Sequence, residues 1–250
     1  MTKIGILGAA GRMGRAIAEA AGALGVDVAG GIGRQGAVIG PHDDAGSLAK
    51  VSDVLIDFST PAALTAHLAA ARETGTPIVV GTTGLRPEDH VAIDEAARSV
   101  GIIQAANTSL GINLLCHLVE EAAARLGPDW DIEVLEMHHR HKLDAPSGTA
   151  LLLAAAAAEG RGSTIEALSR FDRIGAPPHA REAGTIGYAS LRGGSVAGDH
   201  QLILATDGER IELGHRAENR GIFAKGAVKA ALWLAGQPTG RYTMADVLGL

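Results

Sequence analysis

The chain has 250 residues, with 22 Lys and Arg against 28 Asp and Glu, for a formal net charge of −6. That balance argues against general nucleic-acid binding, which needs a broad basic surface. The single cysteine, Cys116, leaves no intramolecular disulfide and fits a reducing cytoplasm.

The opening run, Met1 to Gly8, ends too soon for a signal peptide. No stretch approaches the roughly 20 apolar residues of a membrane helix. A cytoplasmic protein without membrane or nucleic-acid partners is expected. Aromatics are only 3% of the chain, so Ala, Val, Ile and Leu must fill the interior.

The first hundred residues alternate short β-branched runs with alanine-rich segments. Strands are predicted at Lys3–Leu7, Val26–Ala29, Asp53–Asp57, Pro77–Val80 and Gly101–Ala105, and helices at Arg12–Leu24, Pro61–Thr74, Pro87–Ser99 and Leu110–Leu126. Pro61 and Pro87 fall where helices tolerate proline, in the first turn. This βαβα rhythm implies a doubly wound parallel sheet.

Near residue 130 the rhythm changes. A strand at Asp131–Met137 precedes a helix at Ser147–Glu159. Arg170–Gly184 reads as a long loop of the kind that often serves as a lid. Strands at Thr185–Leu191, Ser195–Ala205 and Glu209–His215 then look antiparallel, joined by turns at Gly193-Gly194 and Asp207-Gly208. A helix follows from Asn219 to Leu234, and Thr243 with Asp246 makes a capping box for a short last helix. The fold class is α/β: a Rossmann-like parallel sheet, plus a second α+β domain on a mostly antiparallel sheet.

Gly8-Ala9-Ala10-Gly11-Arg12-Met13-Gly14 links the first strand to the first helix. A sharp turn whose backbone amides a pyrophosphate can approach needs small residues there. The spacing is not the strict Gly-x-Gly-x-x-Gly, and a ligand-free turn is the alternative. The second strand lacks the terminal acid that holds the ribose of NAD. Arg34 stands nearby instead, which leans toward a 2′-phosphate and so NADPH; a solvated loop arginine is the alternative. Gly81-Thr82-Thr83 and Ala105-Ala106-Asn107-Thr108 end two further strands and are placed to line a nicotinamide. Each taken alone is also a plain turn and cap. Asp57 lies at another strand end, as a ligand group or a structural turn carboxylate.

The densest chemistry is His138-His139-Arg140-His141-Lys142, running through Pro146 into Ser147-Gly148-Thr149 at a helix start. If the strand continues, His138, Arg140 and Lys142 share one face. Histidine is the natural acid–base group near neutral pH. A helix opening attracts anions. Together these suggest proton transfer to a small acidic substrate. A metal site is the rival, but no spaced Cys or His partners follow, so no metal is expected. A solvated strand end is the other alternative.

Glu133 to Ala150 resembles, almost without interruption, the signature of the 4-hydroxy-tetrahydrodipicolinate reductase (dihydrodipicolinate reductase) family of the bacterial diaminopimelate–lysine pathway. Gly8–Gly14, Gly81–Gly84, Ala105–Asn107, Gly184–Gly187 and Asn219–Leu234 follow in the family's order. The resemblance implies that His138 is the acid–base histidine and Lys142 its partner and proton donor. It makes His139, Gly148 and Thr149 substrate-binding. Gly8, Ala9, Ala10, Gly11, Arg12 and Met13 would hold the pyrophosphate of NADPH or NADH. Gly81, Thr82 and Thr83 would lie beside the nicotinamide, with Ala105, Ala106, Asn107 and Thr108 as the last cofactor loop.

The resemblance also implies a small dicarboxylate substrate and a homotetramer joined through the second domain's sheets. Thr108 stands where the family often has Phe, and Gly33 where an acid often precedes the arginine. The expected domains are 1–109 with 220–250 for the dinucleotide, and 110–219 for substrate and oligomerisation. Closure about Asn107–Leu110 and His215–Asn219 is expected. Another NAD(P)-dependent reductase, a nucleotide sensor and a metal-dependent hydrolase are the competing readings.

Overall fold

The computed structural model describes residues 1–171 and 177–250. The chain divides into two units, Met1–Leu110 with Gly221–Leu250, and Gly111–Arg220. In chain order the first unit opens with β1 (Lys3–Leu7), α1 (Arg12–Ala23), β2 (Asp27–Gly33), β3 (Gly36–Ile39), α2 (Ala45–Ala49), β4 (Val54–Asp57), α3 (Pro61–Thr74), β5 (Ile78–Val80), α4 (Pro87–Ala97) and β6 (Gly101–Gln104). The second holds α5 (Leu110–Leu126, from its second residue), β7 (Asp131–His138), α6 (Gly148–Gly160), α7 (Ile165–Leu168), β8 (Ser169–Arg170), β9 (Ile186–Arg192), β10 (Asp199–Thr206) and β11 (Glu209–Arg216). The chain then returns to the first unit as α8 (Gly221–Leu234), β12 (Gly240–Tyr242) and α9 (Met244–Leu248).

The first sheet runs β12-β6-β5-β4-β1-β2-β3, parallel except for the antiparallel edge strand β3. Both faces are covered, so its central strands are continuously apolar. Ile4, Ile6, Ile56 and Val79 pack against α1 and the alanines of α8, including Ala224, Ala227 and Ala231. On the other face Leu7, Leu55, Ile78 and Val80 pack against Leu64 and Leu68 of α3 and Ile93 of α4. Register aligns Leu7 with Ile32 and Asp57, Asp57 with Val80, and Val80 with Gln104. The loops beginning at Gly8, Phe58, Gly81 and Ala105 therefore leave one edge of the sheet together. That carboxyl edge is where open parallel sheets bind ligands.

The second sheet runs β11-β10-β7-β9-β8. β7 pairs antiparallel with β10, and β10 with β11, while β9 pairs parallel with both β7 and β8. The sheet is thus mixed rather than mostly antiparallel. Gly193-Gly194 does not close a hairpin: β9 and β10 flank β7 on opposite sides. The Asp207-Gly208 turn does close one, between β10 and β11. Ile132, Val134, Leu202 and Leu204 face α5 and α6, which meet them through Val119, Leu153 and Ala154. Leu135, Met137, Leu191 and Ile203 alternate to the other face and are only partly covered.

Thr243 and Asp246 form the expected cap, with the Thr243 amide donating to Asp246 Oδ2 at 2.7 Å. The loop expectation over 170–184 includes residues 172–176, which lie outside the described residues. No helix among the described residues is long and apolar enough to cross a membrane.

Candidate functional site

In the first unit the glycine-rich turn is shaped by two close approaches. Gly8 has φ +86°, and a Cβ there would lie 2.5 Å from the Phe58 carbonyl oxygen. A Cβ on Gly14 would lie 2.3 Å from Gly8 O and 2.5 Å from Ala9 Cα. The amides of Gly8 and Ala9 both donate to Ile32 O at 2.9 Å, fixing the turn to the end of β2. Helix α1 then begins at Arg12 with Gly11 as N-cap, no capping side chain and no acid in its first turn. Its positive end is left uncompensated, which fits a phosphate-bearing nucleotide.

Arg12 and Arg34 are both exposed. The end of β2 abuts this turn, since a Cβ on Gly33 would come 3.1 Å from Ala10 Cβ. Arg34 therefore follows a residue that touches the turn.

The other two loops share this edge but differ from expectation in detail. Thr83 and Ala106 are exposed. Thr82 is buried, and its hydroxyl donates to Asp57 Oδ1 at 3.2 Å and accepts the Ser59 amide at 3.1 Å. Asp57 is fully buried and reaches His67 Nδ1 at 2.8 Å through its other oxygen. Asp57 is thus a structural turn carboxylate that ties the 57–59 and 81–83 loops together. Asn107 Oδ1 accepts the Ser109 amide at 2.9 Å, an Asx turn. The Thr108 hydroxyl is turned inward, donating to Phe223 O on α8 at 2.7 Å. Thr82 and Thr108 thus turn their hydroxyls to partners within the protein.

In the second unit β7 ends at His138, so the alternation expected through Arg140 and Lys142 does not occur. The chain turns instead, with the Lys142 amide donating to His139 O at 3.1 Å. His138 is only 8% exposed, and its Nδ1 lies 2.5 Å from Glu136 Oε2. Glu136, two residues back on the same strand face, is 1% exposed and held at both oxygens by Arg192, at 2.8 and 2.7 Å. Burial alone would raise the Glu136 carboxyl, but hydrogen bonds from Arg192, Ser190 and His138 outweigh it and hold it below the usual range. Burial lowers His138, Glu136 pushes back, and Lys142 and Arg192 add to the lowering; the net direction is down.

The His200 ring stands edge-on to His138, with centroids 5.0 Å apart. Its Nε2 lies 3.0 Å from the Ser147 hydroxyl, which caps α6 by accepting the Ala150 amide. Burial first, then the neighbouring His138, lowers His200 to about 4. Gly148 and Thr149 follow as the opening residues of α6. The Lys142 ammonium sits 2.8 Å from Asp144, and its field reaches both His138 and His200.

His138 is therefore linked to the α6 opening through His200 and Ser147, and to the turn carrying Lys142 through Glu136 and Arg192, which donates to Asp144 O. His139 sits apart on the turn, its Nε2 3.4 Å from Arg220 Nη2 and its amide bonded to Val196 O. Sequence reasoning gave no role to Glu136, Arg192 or His200. Glu136 had a signal, the Glu-x-His spacing of one strand face. Arg192 and His200 come from distant segments and had none. No His, Cys, Asp and Glu group among the described residues could hold a metal.

Comparison with known proteins gives a consistent result. Residues 2–108 match the family model for the dihydrodipicolinate reductase N-terminus, and residues 111–248 that for its C-terminus. The chain is 62% identical over 248 residues to the 4-hydroxy-tetrahydrodipicolinate reductase of Zymomonas mobilis, covering 99% of this chain and 97% of that one. It is 50% identical over 266 residues to the enzyme of the same name from Parvibaculum lavamentivorans, covering 99% and 98%. Among solved structures it shares its fold with the dipicolinate-bound dihydrodipicolinate reductase from Paenisporosarcina sp. TG-14, at TM-score 0.81 and 24% identity over 98% of each chain.

Proposed function

The chain belongs to the dihydrodipicolinate reductase family, and from that premise we propose how its residues divide the work. It is an oxidoreductase of diaminopimelate and lysine biosynthesis, reducing 4-hydroxy-tetrahydrodipicolinate with a reduced nicotinamide nucleotide. The observation that supports the residue assignments is that His138 packs against His200, whose partner Ser147 caps the α6 opening, while Arg192 bonds both Glu136 and the Asp144 carbonyl beside Lys142.

The nucleotide sits at the carboxyl edge of the first sheet. The Gly8–Met13 backbone and the uncompensated start of α1 take its pyrophosphate. Backbone of 81–83 and 105–108 lines the nicotinamide side. Arg34, with no acid beside it, accommodates a 2′-phosphate, so NADPH is used at least as well as NADH. When bound, the nicotinamide supplies a hydride to the ring carbon conjugated with the imine of the dehydrated substrate.

The second unit holds and protonates that ring. Lys142 exchanges Asp144 for one substrate carboxylate, and the amides opening α6 at Gly148 and Thr149 take the other. His139, on the turn that leads into Lys142, contributes to binding. The enamine-like carbon left by reduction needs a proton, which His138 delivers with help from Lys142. The incompletely covered face bearing Leu135, Met137 and Leu191 joins subunits into a homotetramer, and the enzyme works in the cytoplasm.

The test is a coupled assay with freshly made condensation product, following absorbance loss of NADH and NADPH separately. Substrate-dependent oxidation of either nucleotide is expected. A purified protein that binds nucleotide yet oxidises none of it with this substrate would contradict the reading.

A further inference from the structure

His138 does not stand alone in its strand. A row of side chains crosses the inner face of the second sheet where β7 pairs with β9 and β10. Register sets Glu136 beside Ser190 and His200, and His138 beside Arg192. Arg192 grips both oxygens of Glu136, the planar two-point geometry that suits a guanidinium and a carboxylate. Its Nη2 also donates to Asp144 O at 2.6 Å, tying the same arginine to the turn that carries Lys142.

An ionised carboxylate can only accept, so the hydrogen between Glu136 Oε2 and His138 Nδ1 belongs to the ring. The partner of one ring nitrogen decides what the other can do. Gly198 leaves room beside the other ring nitrogen: a Cβ there would come within 3.0 Å of His138 Nε2.

We infer that Glu136, clamped by Arg192, is a positioning residue that holds His138 in its Nδ1–H form, reserving Nε2 as the nitrogen that exchanges protons. This rests on the acid–base role given to His138 above. Glu136 touches no substrate in this scheme and acts only through the imidazole. The charged and titratable groups facing His138 are Glu136 on its own strand, Arg192 on β9, His200 on β10 and Lys142 on the following turn. Glu136 is the only one of these that favours the protonated ring, so its removal leaves Arg192 and Lys142 unopposed.

The experiment compares wild type, Glu136→Gln, His138→Gln and the double variant. Glu136→Gln should lower kcat about 10- to 100-fold, with KM for the imine and Kd for NADPH changed less than about 3-fold. The pH limb belonging to His138 should move to lower pH. In the His138→Gln background the Glu136→Gln change should cost nothing further. Independently of any variant's folding, histidine ¹⁵N shifts of the wild-type enzyme should show His138 protonated at Nδ1.

An equal loss in the His138→Gln background, an unmoved pH limb, or a neutral His138 carrying its hydrogen on Nε2 would each overturn the inference while leaving the acid–base assignment standing. Normal turnover of His138→Gln itself would instead remove that assignment, and this inference with it.

Discussion

The Ser147 hydroxyl lies 3.0 Å from Nε2 of His200 while also accepting the Ala150 amide. One side chain thus anchors the opening of the substrate-side helix to the ring that packs edge-on against His138. Ser147→Ala removes both contacts. The lost cap costs about 1 kcal/mol, a fall in Tm of about 2–4 °C for a chain of this size. If Gly148 and Thr149 hold a carboxylate, KM for the imine should rise with NADPH affinity unchanged. Calorimetry and steady-state kinetics on the same preparation check this. A lower Tm with unchanged KM would detach the α6 opening from substrate binding.

His200 makes stability depend on acidity. Burial lowers it to about 4 in the folded chain, against about 6.5 when unfolded. Between those values the unfolded state binds more protons, so stability rises with pH across the window. The contribution is fully present above about 6.5 and is lost as pH falls toward 4. Its size is on the order of 3 kcal/mol. Urea denaturation of wild type and His200→Gln between pH 7 and 4.5 should show a flatter dependence for the variant. Parallel curves would mean that His200 titrates normally.

Lys142 and His138 should fail in different ways. Lys142→Ala loses the cation that would take a substrate carboxylate, so KM should rise and kcat fall together. His138→Gln should lose turnover, by about 10²- to 10⁴-fold, while NADPH binding persists. Fluorescence titration with NADPH and initial-rate kinetics separate the two. Unchanged kinetics in Lys142→Ala would reject its role.

Gly14→Ala tests the nucleotide site. The added Cβ would lie 2.3 Å from Gly8 O and 2.5 Å from Ala9 Cα, backbone that must move if the variant is to fold. NADPH Kd should weaken by about tenfold or more, the equivalent of about 1.4 kcal/mol. The second unit should still bind a dicarboxylate. Isothermal titration with each ligand reads both. Wild-type NADPH affinity would show that this turn does not cradle the phosphates.

Local signals carried much of this fold in the sequence. Helix α3 is legible to the residue, because Pro61 at its first turn and Gly75 at its end, with φ +69°, both leave marks. β3, β12 and α2 run only three to five residues, too short for any periodicity to show. β9 lies within a residue of its expected position, but Gly193-Gly194 looks like a hairpin turn, whereas the strand's parallel pairing with β7 is set by distant contacts.

The site divides the same way. His138 and Lys142 are contiguous with the signature and visible at once. Arg192 reaches Glu136 from 56 residues away, and His200 reaches Ser147 from 53. No local pattern announces either. Thr82 and Thr108 show the converse: small polar residues at strand ends read as ligand groups, yet their hydroxyls serve Asp57 and Phe223.

The most direct measurement is a crystal structure with a non-reducible ring dicarboxylate and a nicotinamide nucleotide both bound. One carboxylate should displace Asp144 from Lys142, and the other should meet the amides of Gly148 and Thr149. His138 should flank the ring, with the nicotinamide's reactive carbon about 3–3.5 Å from it. A dicarboxylate bound away from Lys142 and α6, with the Lys142–Asp144 pair intact, would contradict the assignment.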